Sequence, residues 1–271
     1  MFELENKVVV ITGGAGLLGS QFCEVIARFG GIPVILDNDI TAARALAGRI
    51  HADVGAEVAH FACDIGSEDE VKFATAEILS KYGSIYGLIN NAARNPKVSE
   101  KVSLSNNQLE HFCINEWSKD IKVGLTGAFL CAKYMGTAIS NNDNGGVIIN
   151  ISSDLGIIAP NQNIYMNTND NFEDRLVKPI SYSVVKSGLI GLTRYLSTYW
   201  STKNVRCNAI CPAGVFQEQP SDFVAKIEDL IPLKRMAQAD EYNSTVVWML
   251  SEKSSFLNGA IVSVDGGRTA W

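Results

Sequence analysis

Two hydrophobic patterns alternate along the chain. Short β-branched runs without polar interruption read as strands buried on both faces, and the longer stretches between them carry apolar residues three and four apart, as helices packed by one side do. Val8 to Ile11 is the first run; it stops at Thr12 and yields to Leu17, Leu18, Phe22, Val25 and Ile26, a helix expected over about 16–29 and ended by Gly30-Gly31. A second strand, Pro33 to Leu36, ends in Asp37, and a helix follows over about 40–54. Further strands are expected at about 57–62, 85–89, 147–152, 205–210 and 261–264, with helices from Ser67 to about Tyr82, then over about 115–140, 180–200 and 240–251. Ser67-Glu68-Asp69-Glu70 reads as a capping box. Seven strands alternating with helices, without hairpin signals, predict an α/β fold: one Rossmann-type domain over 1–271, a doubly wound parallel seven-stranded sheet with helices on both faces.

In such a sheet ligands bind at the carboxyl ends of the strands, and the polar oddities of the chain fall there. Strand one ends in a glycine turn, strand two in Asp37, strand three in Asp64, strand four in Asn90, strand five in Ser152-Ser153 and strand six in Pro212-Ala213-Gly214. Gly14, Gly16 and Gly19 stand as G-x-G-x-x-G between a strand and a helix, the context in which a bare backbone and a helix N-terminus meet a pyrophosphate. Asp37 lies 18 positions after Gly19, near the ~20 expected for a carboxylate that accepts from the two adenosine ribose hydroxyls. It would repel a 2′-phosphate, and neither the glycine turn nor the few residues after Asp37 contain Arg or Lys, so NAD is expected rather than NADP. Asp39 is available to cap the next helix.

Composition narrows the rest. The 271 residues are 46% apolar with a net charge of −6 and no basic stripe, which argues against a nucleic-acid partner. Cys23, Cys63, Cys113, Cys131, Cys207 and Cys211 show no paired framework and read as mostly buried free thiols of a reducing compartment. His51, His60 and His111 lack metal-ligand spacing, so no metal site is expected. The stretch MFELENK is not built like a signal peptide and no apolar run reaches ~18 residues, so a cytoplasmic protein without a membrane partner is expected.

The ordered set TGGAGLLG (12–19), NNAA (90–93), NISS (150–153), Tyr182-Ser-Val-Val-Lys186, NAICPAGV (208–215) and VDGG (264–267) resembles the short-chain dehydrogenase/reductase family over the whole chain. The resemblance implies an oxidoreductase acting on CH–OH groups, with Ser153, Tyr182 and Lys186 as catalytic residues. It also implies a cofactor held by Gly13, Gly16, Leu17, Leu18, Gly19, Asp37, Asp64, Ile65, Asn90, Ala92, Tyr182, Lys186, Pro212, Gly214 and Val215, with Lys186 on the nicotinamide ribose and the Val215 backbone on the carboxamide. Tyr199 and Lys203 share the Tyr-x-x-x-Lys spacing, but they sit at the helix end away from the ligand edge and read as ordinary surface or packing residues. A four-residue step puts the Lys186 ammonium on the helix face of the Tyr182 phenol, and a nearby cation is expected to lower the phenol below its ordinary ~10. Tyr182 would then exchange a proton with the substrate while Ser153 hydrogen-bonds the reacting oxygen.

Three departures from the family pattern stand out. The glycine spacing matches the branch that handles nucleotide sugars. Gly124 occupies the place of an asparagine that relays protons to the lysine, and Gln217 that of a threonine. Between Ser153 and Tyr182 the chain is about twice as long as the family commonly has, so about 158–179 is an insertion rooted at both ends in the site. It contains Asn161, Asn163, Tyr165, Asn167, Asn169, Asp170, Asn171, Arg175 and Lys178, and Arg94-Asn95-Pro96-Lys97 lies at the same rim. These residues suit a hydroxylated or anionic small-molecule substrate. The insertion resembles that of members associated with flagellin glycan and surface-polysaccharide sugar pathways, which implies a sugar-derived substrate; a solvated loop or an oligomer contact is the other reading. Two further functions stay open: an NAD-binding sensor or partner protein with little turnover, motivated by Gly124, and a nucleotide-sugar epimerase or dehydratase. The long helix and the 180–200 helix are apolar on more than one face, the resemblance implies a homotetramer or homodimer, and the terminal Trp271 is expected at such an interface.

Overall fold

The computed structural model describes residues 3–94, 107–165 and 176–271. Strands β1 (Val8–Thr12), β2 (Ile32–Asp37), β3 (Ala59–Ala62), β4 (Gly87–Asn90), β5 (Gly146–Ile151), β6 (Val205–Pro212) and β7 (Ile261–Val264) form one sheet in the order β3-β2-β1-β4-β5-β6-β7. Every pairing is parallel, with Val10 flanked by Val34 and Leu88. The order reverses between β1 and β4, and the crevice outside their carboxyl ends is where such sheets bind ligands.

The uninterrupted apolar runs have a direct cause. Val8, Val10, Val34, Leu36, Leu88 and Ile148 point into one core, while their neighbours Val9, Ile11, Ile35, Ile89 and Ile149 point into another on the opposite face. Helices α1 (Leu17–Arg28) and α2 (Ile40–Val54) cover the second core with Phe22 and Leu46. Helix α3 (Glu68–Tyr82), a long helix α4 over 114–140 and helix α5 (Ile180–Tyr199) contribute Val71, Leu130 and Leu196 to the first. Each such side chain taken out of water contributes roughly 1.5–3 kcal/mol, so neither face of a central strand tolerates a polar residue without a partner.

The elements fall where the hydrophobic pattern puts them, with four differences. Helix α6 (Ser221–Asp229) was not anticipated; its short apolar stripe, Phe223, Val224 and Ile227, is only half-buried, and Phe223 and Ile227 face the cleft rather than the core. Helix α7 (Asn243–Leu250) is shorter than expected because Ala239–Tyr242 is a 3₁₀ turn. Ser67 does head α3, but its side chain makes no cap; Glu70 reaches past it to accept from the Asp64 amide at 2.8 Å. Helix α4 departs from α geometry at Lys122–Thr126 and Ala132–Gly136, two π-helical segments of the kind that gather at functional sites. Among the described residues no helix is long and apolar enough to cross a membrane.

Candidate active site

The carboxyl edge of the sheet opens into a cleft of about 1000 Å³. Of the residues singled out above, Gly13, Gly16, Leu17, Leu18, Asp37, Asp64, Ile65, Ala92, Ser153, Tyr182, Lys186, Pro212, Gly214 and Val215 line it, whereas Gly19 and Asn90 do not. Gly19 instead lets α1 approach the turn, since a β-carbon there would stand 2.2 Å from the Gly13 carbonyl oxygen. Asn90 donates from Nδ2 to Asn150 Oδ1 at 2.8 Å inside the sheet, and Asn150 continues to Thr193.

The turn itself is built to leave backbone exposed. Gly13 adopts φ +59° and a side chain there would collide with Ala92, 2.9 Å from its Cα. Gly16 heads α1 without a side-chain cap, so the first amides of the helix are left for a ligand. Two residues outside the sequence-based set hold this geometry. Asn91 Nδ2 donates to the carbonyls of Thr12 and Gly13 at 3.0 and 3.1 Å, while Thr12 Oγ1 accepts from the amides of Asn91 and Ala92. The polar Thr closing an apolar run and the second Asn of NNAA were the signals for them.

Asp37 is oriented by backbone: Oδ2 accepts from Ala15 N and Oδ1 from Asp39 N, each at 3.0 Å. Asp39 caps α2 by accepting from Thr41 and Ala42, so Asp37 is free of that duty. Asp64 pairs with Lys122 at 3.1 Å and accepts from Gly66 N; burial pushes its carboxyl up, but these two contacts win and hold it below its ordinary value. At the far wall Gln219 accepts from Gln217 N and donates to the Val215 carbonyl, fixing the loop that carries Gly214, Val215 and Gln217.

Ser153, Tyr182 and Lys186 meet at the other end of the cleft. Ser152 is the inert neighbour: its hydroxyl is committed to the Lys186 carbonyl at 2.7 Å. Ser153 Oγ donates to Asp154 Oδ1 at 2.6 Å and accepts from Leu155 N. Asp154, overlooked in the sequence although it adjoins Ser153, is raised above the ordinary carboxylate range by burial, although its Oδ1 accepts from both Ser153 Oγ and Leu155 N. Lys186 Nζ donates to the Ile151 carbonyl at 2.8 Å and lies 5.8 Å from the Tyr182 ring centroid. Burial pushes it down to about 8, and the charge of Lys178 adds to that.

The Tyr182 phenol corrects one expectation. It stands above its ordinary value, raised by burial and further by Asp154. Desolvation outweighs an ammonium almost 6 Å away whose hydrogen bond goes to a carbonyl, so proximity to Lys186 alone does not make a phenolate. Tyr199, by contrast, is 61% exposed and stacks on Tyr195, as its place at the far end of α5 requires.

The missing asparagine at Gly124 has a steric explanation. Gly124 lies in the first π segment, and a β-carbon on it would come 2.5 Å from Val185 Cγ1. Gly124→Asn alone is therefore expected to cost about 1–3 kcal/mol of stability by overpacking, and Val185→Ala in the same chain should recover part of it. Urea unfolding of the two single variants and the double variant measures this; additive losses would refute the pairing.

The described ends of the 158–179 stretch face the cleft through Pro160, Asn161, Ile164, Tyr165 and Lys178. Tyr165 meets Phe223 of α6 with ring centroids 5.6 Å apart. Asn95, Pro96, Lys97, Asn167, Asn169, Asp170, Asn171 and Arg175 lie outside the described residues. Arg94 lines the cleft, yet its guanidinium is taken by Glu116 at 2.9 Å and Asp120 at 2.8 Å, so it is not the open cation expected for an anionic substrate.

A family profile described as enoyl-(acyl carrier protein) reductase matches residues 18–269. The chain is 27% identical over 278 residues to 2,5-dichloro-2,5-cyclohexadiene-1,4-diol dehydrogenase of Sphingobium indicum, with both chains covered completely. It is 26% identical over 264 residues to post-translational flagellin modification protein A of Campylobacter coli, covering 97% of this chain and 98% of that one. In fold it is similar to an NAD+-bound xylitol dehydrogenase, with a TM-score of 0.83 at 21% identity over 97% of this chain and 99% of the other.

Proposed function

The chain belongs to the short-chain dehydrogenase/reductase family, and we propose that it is an NAD-dependent enzyme oxidising or reducing a CH–OH carbon of a ring diol, polyol or sugar-derived substrate. The observation that carries this is the meeting of Ser153, Tyr182 and Lys186 in one cleft with the uncapped α1 turn and Asp37. A nicotinamide cofactor fits the residues present, since side chains at Gly13 would fill the cradle and the helix amides there have no side-chain cap. Asp37 would hold the adenosine ribose, Gly13, Gly16, Leu17 and Leu18 the pyrophosphate, and Pro212, Gly214 and Val215 the nicotinamide side. When bound, the cofactor supplies hydride transfer to or from the substrate carbon.

The residues of the chain handle the proton. Tyr182 gives its phenolic proton to a carbonyl or takes one from an alcohol, and Lys186 orients the ribose beside it. Because the Ser153 hydrogen is committed to Asp154, its oxygen is left to accept from a substrate hydroxyl, which suits an alcohol as the bound form. Amides of Asn161 and Gln217 on the wall suit further hydroxyls. The diol acted on by the Sphingobium relative and the flagellin role in the Campylobacter relative's name support a hydroxylated ring from a glycan route. Ile114 and Phe129 on α4, with Val184 and Tyr195 on α5, are exposed apolar residues that suit pairing between copies in a cytoplasmic homodimer or homotetramer.

NADH formation measured across a panel of ring diols, polyols and sugars, with Tyr182→Phe as control, tests the reading. Turnover of at least one such alcohol by the wild-type chain alone is expected. Equal rates in the two proteins would favour an NAD-binding protein that does no chemistry.

A further inference from the structure

Lys178 stands immediately before α5, at the end of the stretch that separates Ser153 from Tyr182. Its ammonium lies over the face of the Tyr182 ring, 3.9 Å from the centroid and closer than the 5.8 Å of Lys186. The position is built rather than incidental. Gln162 grips the Lys178 backbone from both sides, its Oε1 accepting from the Lys178 amide at 2.8 Å and its Nε2 donating to the Lys178 carbonyl at 3.4 Å. A side-chain amide used this way copies a neighbouring strand, and it ties residue 178 to residue 162 across the intervening chain. Lys178 makes no ion pair with any described carboxylate; Asp154 acts on it only through space, while its ammonium sits on the ring.

We infer that Lys178 is a positioning residue for Tyr182: clamped by Gln162, its ammonium over the ring face stabilises the ring when it carries negative charge and so sets the pH at which the phenol gives up its proton. A cation on an aromatic face is attracted even to a neutral ring, and more strongly once a phenolate spreads its charge into that ring. The other groups that face Tyr182 do not supply this. Lys186, on the same helix, spends a hydrogen bond on the Ile151 carbonyl; Asp154, after β5, opposes ionisation; Ser153 gives its hydroxyl hydrogen to Asp154. Tyr165 from the 162–165 turn is itself pushed up to about 12, Cys211 of β6 bears on Lys186, and Arg268 and Asp265 bear on Asp154 with opposite signs. Burial lowers Lys178 from its ordinary value, and the charge of Asp154 opposes that.

The inference rests on Tyr182 being the proton-transfer group, but its test does not need turnover. A spectrophotometric titration of the tyrosinate band, taken as wild type minus Tyr182→Phe, isolates this phenol among the tyrosines. The same difference is then taken in a Lys178→Met background. Loss of the cation should move the Tyr182 midpoint up by about one pH unit or more, and Lys178→Arg should restore it. An unchanged midpoint in Lys178→Met overturns the inference. Should Lys178→Met fail to fold, Gln162→Leu decides by the same measurement: an upward shift supports the clamp, and a midpoint equal to wild type refutes it. With a turned-over alcohol, the ascending limb of the kcat/KM profile should shift the same way. A wild-type chain that oxidises no alcohol would defeat the proposed function and leave the titration readable.

Discussion

Tyr182→Phe is expected to lower kcat/KM by about 10²–10⁴-fold, the usual share of a positioned general acid–base group, while cofactor affinity and Tm stay near wild type. The substitution removes a single oxygen. The phenyl ring still lies under the Lys178 ammonium, and Ser153 keeps its bonds to Asp154 and Leu155, so the site loses its proton carrier and little else. Because the phenol is raised above its ordinary value by burial, wild-type alcohol oxidation should climb with pH as the phenolate form is populated, and carbonyl reduction should fall over the same range. The sign follows from which form each direction needs: a base to take a proton, an acid to give one. Steady-state kinetics in both directions check this, and a Phe variant with wild-type rates would remove Tyr182 from the mechanism.

Asp37→Ala carries the second large effect. Each Asp37 oxygen holds one backbone amide and keeps a further lone pair for the cleft, enough to accept from both ribose hydroxyls. Losing two bonds to a charged acceptor costs about 3–6 kcal/mol at the ~1.5–3 kcal/mol each such bond contributes, and removing the carboxylate also ends its repulsion of a 2′-phosphate. The ratio of kcat/KM for NAD over NADP is therefore expected to fall by roughly 10²–10⁴-fold. The wall beside Asp37 consists of Asn38, Asp39 and Ala42, which offer no cation to a 2′-phosphate, so most of the change should come from weaker NAD. Wild-type preference for NADP, or a ratio that does not move, would overturn the choice of cofactor.

These predictions differ in how early they could be made. Asp37 was legible because it closes an apolar strand at a fixed distance from a glycine turn, and both features are written in consecutive residues. The pair Tyr182 and Lys186 needed one more step, because Tyr199 and Lys203 have the same spacing, and only their position relative to the sheet edge separates them. The acidity of Tyr182 was not legible. A lysine four residues on suggested a lowered phenol, whereas the three-dimensional site raises it, because desolvation depends on everything packed around the ring and not on one neighbour. Arg94 illustrates the same limit, since its partners Glu116 and Asp120 are more than twenty residues away.

What the sequence determined alone was the fold and the location of the cleft. Strands that bury both faces must be apolar without interruption, helices that cover them must be apolar on one side, and the right-handed parallel crossovers then leave one way to order the ends. Only the tertiary structure decided which charges are free and which are paired, why Gly124 must lack a side chain beside Val185, and that Lys178 lies over Tyr182. Those outcomes depend on distances between segments far apart in the chain. A periodic pattern encodes which face a residue turns to the core, but carries no information on what it will meet there.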